Sequence, residues 1–186
     1  MTKDMWNIPN ILSLSRIAIA PILIIILINP TKYNSILAAV IFSLAALTDW
    51  LDGYLARRMK ITTVIGRFLD PLADKLLIMT CLIMLVPAER VPAWVISLIV
   101  GREIAVTGLR GVIAKEGIVI SASNLGKYKT TFQIAAVIPL LIHYPFFGID
   151  FHNIGVILIY LALVFTLWSG IDYFVRFLRV IEVSAK

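Results

Sequence analysis

The sequence predicts an all-α fold: a polytopic integral membrane bundle of six transmembrane helices, with both termini cytoplasmic. Three observations carry this. Several apolar runs are long enough to cross a bilayer, which takes ~20 residues each. Hydrophobic residues make up 60% of the 186 positions and mean hydropathy is +0.95, well above the roughly 45–50% apolar content of ordinary soluble domains. Lysine and arginine also alternate from loop to loop, as the positive-inside bias requires.

Residues 1–9 read as a short interfacial entry with Trp6 at headgroup level. The first span covers about Asn10–Ile28 and contains Pro21. Its Ala18-Ile19-Ala20 mimics a signal-peptidase site, but Ser13, Ser15 and Arg16 are too polar for the core of a signal peptide, so a retained span is expected. The turn Asn29–Lys32 leads to a second span, about Ser35–Leu55, then a basic loop, Arg57–Lys60. Further spans follow at about Gly66–Val86, Ala93–Ala114, Tyr128–His143 and Ile154–Val180. Continuous Leu/Ile/Ala-rich runs favour helices over the alternating strands of about ten residues that a barrel needs. No repeat or linker divides the chain, so one domain over 1–186 is expected.

The net charge of +6 has a topological cause. Lys3, Arg57, Arg58, Lys60, Arg67, Lys115, Lys127, Lys129, Arg176, Arg179 and Lys186 fall on one side, and Lys32 and Arg90 on the other. The first side is therefore the cytoplasmic one, in the cell membrane. There is no solvated basic domain to bind nucleic acid. The single cysteine, Cys81, lies in an apolar run, so neither a disulfide nor a CxxC metal pair can form within the chain.

Four carboxylates sit near the cytoplasmic ends of the second and third spans, where charge is costly. Asp49 and Asp52 are three apart and share one helix face; Asp70 and Asp74, four apart, share another. The short connection makes the two helices antiparallel neighbours whose acidic faces can meet. Four converging carboxylates would repel. Hard cations such as Mg²⁺ or Mn²⁺ resolve this with oxygen ligands, and a cluster this dense can hold two of them against a phosphoryl group. Gly53, Ala56 and Gly66 leave room for a ligand to approach the backbone, and Arg57 offers a planar fork to phosphate oxygens. Ion pairing or an ion pathway, as in a divalent-cation transporter, is the competing reading of the same carboxylates.

The run Asp49-Trp50-Leu51-Asp52-Gly53-Tyr54-Leu55-Ala56-Arg57, followed by Gly66, Asp70 and Asp74, resembles the signature of the CDP-alcohol phosphatidyltransferase family: eight identities over 26 residues. The resemblance implies transfer of a phosphatidyl group from CDP-diacylglycerol to an alcohol, with CMP leaving. It also implies that Asp49, Asp52 and Asp70 are mainly metal ligands. Asp74 is then the base for the attacking hydroxyl and a further ligand. Gly53, Ala56, Arg57 and Gly66 map onto the CDP-diacylglycerol pocket, and a homodimer is implied too.

Weaker segments, among them Gly101-Arg102-Glu103, Gly108-Leu109-Arg110 and Gly126-Lys127-Tyr128-Lys129-Thr130, resemble the branch that uses sn-glycerol 3-phosphate as acceptor. A phosphorylated acceptor needs cations beside the metal site. Arg110, Lys127 and the deeper Arg102 are the candidates. Positive-inside bias or snorkelling is the plainer reading of Arg110 and Lys127, and a carboxylate partner the plainer one of Arg102. Inositol phosphate or serine as acceptor remains in competition. Asn10 and Arg16 are expected to cap the first span or to contact the nucleotide. Asp172 is expected to pair with Arg176 one turn on.

Overall fold

In the computed structural model the described backbone comprises residues 8–59, 64–115 and 124–184, with side chains described over 10–48, 69–114 and 126–179. The described elements are six helices: α1 Ile8–Leu27, α2 Lys32–Met59, α3 Val64–Met84, α4 Ala93–Lys115, α5 Asn124–Ile142 and α6 Phe151–Ser184. Each matches a span drawn from the sequence, with shifted ends. The start of the expected basic loop is helical, because α2 runs on through Met59. Helix α5 starts four residues before Tyr128 and stops one residue before His143.

Local signals set these boundaries. Thr31 Oγ1 accepts the Asn34 backbone N–H at 3.3 Å, and Asp150 Oδ1 accepts that of Asn153 at 3.1 Å. Both are N-caps reaching the third helical residue, for α2 and α6. His143 follows α5 in the left-handed region, with φ 62, and its N–H bonds the Pro139 carbonyl at 2.8 Å. This is a C-terminal stop that a non-glycine residue adopts at some cost. Pro21, Pro71 and Pro139 lie inside helices, where each removes one backbone hydrogen bond.

Helix α5 is the centre of the packing. Ala136, Val137, Leu140 and Leu141 are fully buried on it, and it packs along α6 and against α2 and α3. The α5–α6 contact is close enough that a Cβ on Gly155 would lie 2.6 Å from Leu140 Cγ and 2.9 Å from its backbone nitrogen. Helix α3 leans mainly on α1 and touches α2 and α4 only slightly. Among the described residues α1 packs against both α2 and α3, and these two, joined by the short connection, also touch each other.

The bundle is apolar outside and buries several polar side chains beside its apolar core. Ile25, Leu44, Ile104, Val112, Ile157 and Ile171 are each more than half exposed, while Asn10, Ser13, Arg16, Arg90, Glu103 and Lys129 are buried. Segments Asn10–Leu27 and Phe151–Arg179 are long and apolar enough to cross a membrane, with mean hydropathies of 2.2 and 2.3. An exposed apolar belt of this extent calls for an apolar neighbour such as lipid.

Two clusters of polar contacts mark opposite ends of the helices. Beyond α3 and α5, Arg90 is 3% exposed and gathers three segments. Its Nη1 donates to the carbonyls of Leu140 and Leu141 at 3.1 and 2.6 Å, and its Nη2 to Ser35 Oγ at 2.6 Å and the Pro30 carbonyl at 3.4 Å. Nearby, His143 Nδ1 and His152 Nδ1 are 3.2 Å apart.

Candidate active site

The other cluster joins the first halves of α1, α3 and α5 to the second halves of α4 and α6. Asn10, Ser13 and Arg16 recur every three residues and form one buried stripe on α1. It faces the start of α3. Ser13 Oγ donates to Asp70 Oδ1, and Arg16 Nη1 donates to Asp74 Oδ1 as an ion pair. The four-residue spacing of Asp70 and Asp74 thus puts both carboxylates toward α1. Arg16 is expected to cap the first span or to contact the nucleotide, and the structure adds a carboxylate partner, Asp74.

Asp49, Asp52, Gly53, Ala56 and Arg57 fall in the last part of α2, and Gly66 in the first turn of α3. Their side chains lie outside the described residues, as does the expected meeting of the two acidic pairs. Among the described residues no group of three or more His, Cys, Asp or Glu side chains could hold a metal ion. The donor chemistry nonetheless fits a hard cation: Asp70 and Asp74 present carboxylate oxygens from one helix face, with Asp74 about a third exposed.

Beside Asp74 lies a cavity of about 200 Å³ between α3, α4 and α5. Asp74, Lys75, Glu103, Lys129, Thr130 and Gln133 form its polar lining, and Ile78, Met79, Leu82 and Ile99 its apolar floor. Glu103 is 5% exposed. It receives Lys129 in a close ion pair, and Arg102 Nη1 at 3.2 Å; Lys75 Nζ stands 3.9 Å from its second oxygen. Lys75 also donates to Thr107 Oγ1 at 2.5 Å. A pocket with both an apolar floor and converging charged groups suits a small ionic ligand.

Arg102, Arg110 and Lys127 do not line this cavity. Arg102 stands behind it, bonded to Glu103 and, through Nη2, to Ser169 Oγ on α6 at 2.9 Å. Its Nε is buried without a hydrogen-bond partner. Gly170 leaves space for its stem, since a Cβ there would meet Arg102 Cγ at 3.0 Å. Arg110 lies over the Tyr173 ring, 5.2 Å from its centroid, and Lys127 is exposed at the start of α5. Arg176 Nε reaches Asp172 Oδ1 at 3.1 Å, the local pair expected from their spacing.

Sequence reasoning missed Ser13 as a partner of Asp70 and both cavity lysines. A signal was present for each: polar residues at three-residue spacing in an apolar run, and charged residues inside otherwise apolar spans.

Residues 6–168 match the family model described as CDP-alcohol phosphatidyltransferase. The chain belongs to that family. Relatives named CDP-diacylglycerol--glycerol-3-phosphate 3-phosphatidyltransferase include one from Bacillus subtilis (strain 168), 41% identical over 97% of this chain and 100% of the relative. One from Pectobacterium atrosepticum is 40% identical, and one from Escherichia coli (strain K12) 36%, each over 90% of this chain and 93% of its own length. In this phosphatidyltransferase the matched region spans α1 to α5 and the first half of α6, and so includes every residue that lines the cavity.

Proposed function

We propose that the chain transfers the phosphatidyl group of CDP-diacylglycerol to sn-glycerol 3-phosphate, giving phosphatidylglycerophosphate and CMP. The observation that carries this reading is the cavity beside Asp74. It joins a carboxylate suited to accept a proton to a lysine-bearing wall suited to a phosphorylated acceptor. Whole-length similarity to relatives carrying that name supports the same choice of acceptor.

In this reading the acceptor hydroxyl gives its proton to Asp74 as its oxygen attacks the lipid-side phosphorus, and the bond from that phosphorus to the CMP oxygen breaks. Asp49, Asp52, Asp70 and Asp74 would hold divalent cations, a pair of Mg²⁺ or Mn²⁺, which supply neutralisation of diphosphate charge. Gly53, Ala56, Arg57 and Gly66 receive the CDP moiety. Lys75 and Lys129 meet the acceptor phosphate inside the cavity. Arg102 backs them, and Arg110 and Lys127 add positive charge toward the cytoplasm. Holding lipid and soluble substrates together supplies much of the rate.

The exposed apolar belt supports six transmembrane spans in one domain, and the one-sided lysines and arginines support the cytoplasmic membrane with the active site and both termini facing the cytoplasm. The family resemblance supports a homodimer, to be read from the mass of the purified protein.

Release of CMP, measured with sn-glycerol 3-phosphate, inositol phosphate and serine in turn, tests the function. Release dependent on sn-glycerol 3-phosphate and abolished by EDTA is expected. Equal release with any acceptor, or divalent-metal flux without CMP, would overturn it.

A further inference from the structure

Glu103 takes no part in the steps above, yet it is the acidic group around which the cavity wall is arranged. Its carboxylate meets cations from three helices: Lys75 of α3, Arg102 of α4 and Lys129 of α5. Three of these four groups line the cavity that Asp74 also lines. We propose that Glu103 is a positioning residue for the acceptor: it holds the three cations around the cavity with a charge surplus that matches a phosphate dianion. The inference rests on the acceptor-phosphate reading given above.

The physical case has two halves. Cations this deeply placed lose hydration that a partner must replace, at a cost of several kcal/mol per ion. Lys129 is buried, and Lys75 is about a third exposed, with a flexible stem that can swing toward water. Glu103 gives both a reason to stay before any acceptor arrives, so less ordering remains to be done on binding. The second half is balance. Three cations around one carboxylate leave two positive charges, and a phosphate monoester carries about two negative ones near neutral pH. Asp74, the other carboxylate on the cavity, is already paired with Arg16; a further carboxylate without a cation of its own would cancel much of the attraction. Without Glu103, the cations would disperse. Glu103 itself repels phosphate, so its influence on the acceptor runs through the lysines and Arg102.

Glu103→Gln keeps the side-chain volume and removes the charge. Its CMP release should show a KM for sn-glycerol 3-phosphate raised by about tenfold or more, equivalent to about 1.4 kcal/mol. The kcat at saturating acceptor and the KM for CDP-diacylglycerol should both stay within about threefold of the parent values. Inhibition by inorganic phosphate should weaken in parallel, and Glu103→Asp should recover most of the acceptor KM.

An unchanged acceptor KM with a fallen kcat, or equal rises in the KM of both substrates, would reduce Glu103 to a structural ion-pair member and overturn the inference. Should Glu103→Gln fail to fold, Glu103→Asp decides alone: a smaller rise confined to the acceptor KM supports the inference, and no change overturns it. If the parent chain transfers nothing to sn-glycerol 3-phosphate, the function reading falls and takes this one with it. Normal transfer by the parent with an unmoved variant KM removes this one only.

Discussion

The Arg90 end and the Asp74 end both bury arginine, but they treat it in opposite ways. Arg90 spends its donors on three backbone carbonyls and a serine hydroxyl, all neutral. It ties the α1–α2 turn, the α3–α4 loop and the end of α5 into one unit, and the described contacts there leave nothing arranged for a ligand. At the other end Arg16, Lys75 and Lys129 face carboxylates across helices, Arg102 faces that of its neighbour Glu103, a cavity lies beside them, and Arg102 keeps one buried nitrogen without a hydrogen bond. A charge bonded to backbone dipoles holds a fold in place. Charges balanced against one another around a cavity can exchange partners when an ionic ligand enters.

The largest expected effect falls on turnover at the Asp74 end. Asp74→Asn should cut CMP release by about 10²–10⁴-fold, the range a lost general base produces, while the protein still binds CDP-diacylglycerol in part; its melting temperature should fall as well, because the buried Arg16 loses a charged partner. Turnover near the parent value would remove Asp74 as the base.

Arg90→Ala should act on stability alone. It leaves buried carbonyls unpaired, at about 1–3 kcal/mol for each group left unsatisfied. Thermal unfolding should shift down by several degrees, while both KM values, measured below the transition, stay at the parent level. A KM change at constant melting temperature would mean the two ends are coupled.

The smallest effect concerns pH at the Arg90 end. Burial, then the nearby Arg90 and His152 charges, hold His143 below its ordinary value of 6.5, with Asp150 opposing. The folded chain therefore resists a proton that the unfolded chain accepts. This contribution is complete above pH 6.5 and is lost as pH falls through 6.5 toward the lowered folded value. The loss should be below about 1 kcal/mol, since the ring is partly exposed and its neighbours are screened. His143→Asn should flatten melting temperature against pH between 5 and 7; an unchanged slope would assign the dependence elsewhere.

Helix number, order and approximate limits were legible because apolar runs of bilayer length and the turns between them are local signals. The family was legible because its signature is also local, confined to 49–74. The partners were not. Ser13 and Asp70 are 57 residues apart, and Glu103 and Lys129 are 26 apart. Nothing in either segment shows which helix will lie against it. Loop length made α2 and α3 neighbours, but it bounds separation without saying that α1 packs against both. Arg90 looked like a stray outer-face charge for the same reason. Its partners are carbonyls, and a carbonyl leaves no trace in residue identity.

The apolar belt has a consequence for how any rate on this protein is read. A particle whose outer surface is isoleucine, leucine and valine is always clothed, by lipid or by surfactant, and CDP-diacylglycerol dissolves in that same clothing. The donor is thus counted as a mole fraction within a film, whereas sn-glycerol 3-phosphate is counted in moles per litre of water. Adding surfactant dilutes one substrate and leaves the other untouched. The two Michaelis constants are therefore quantities of different kinds, and they can be compared between variants only at a fixed ratio of surfactant to lipid.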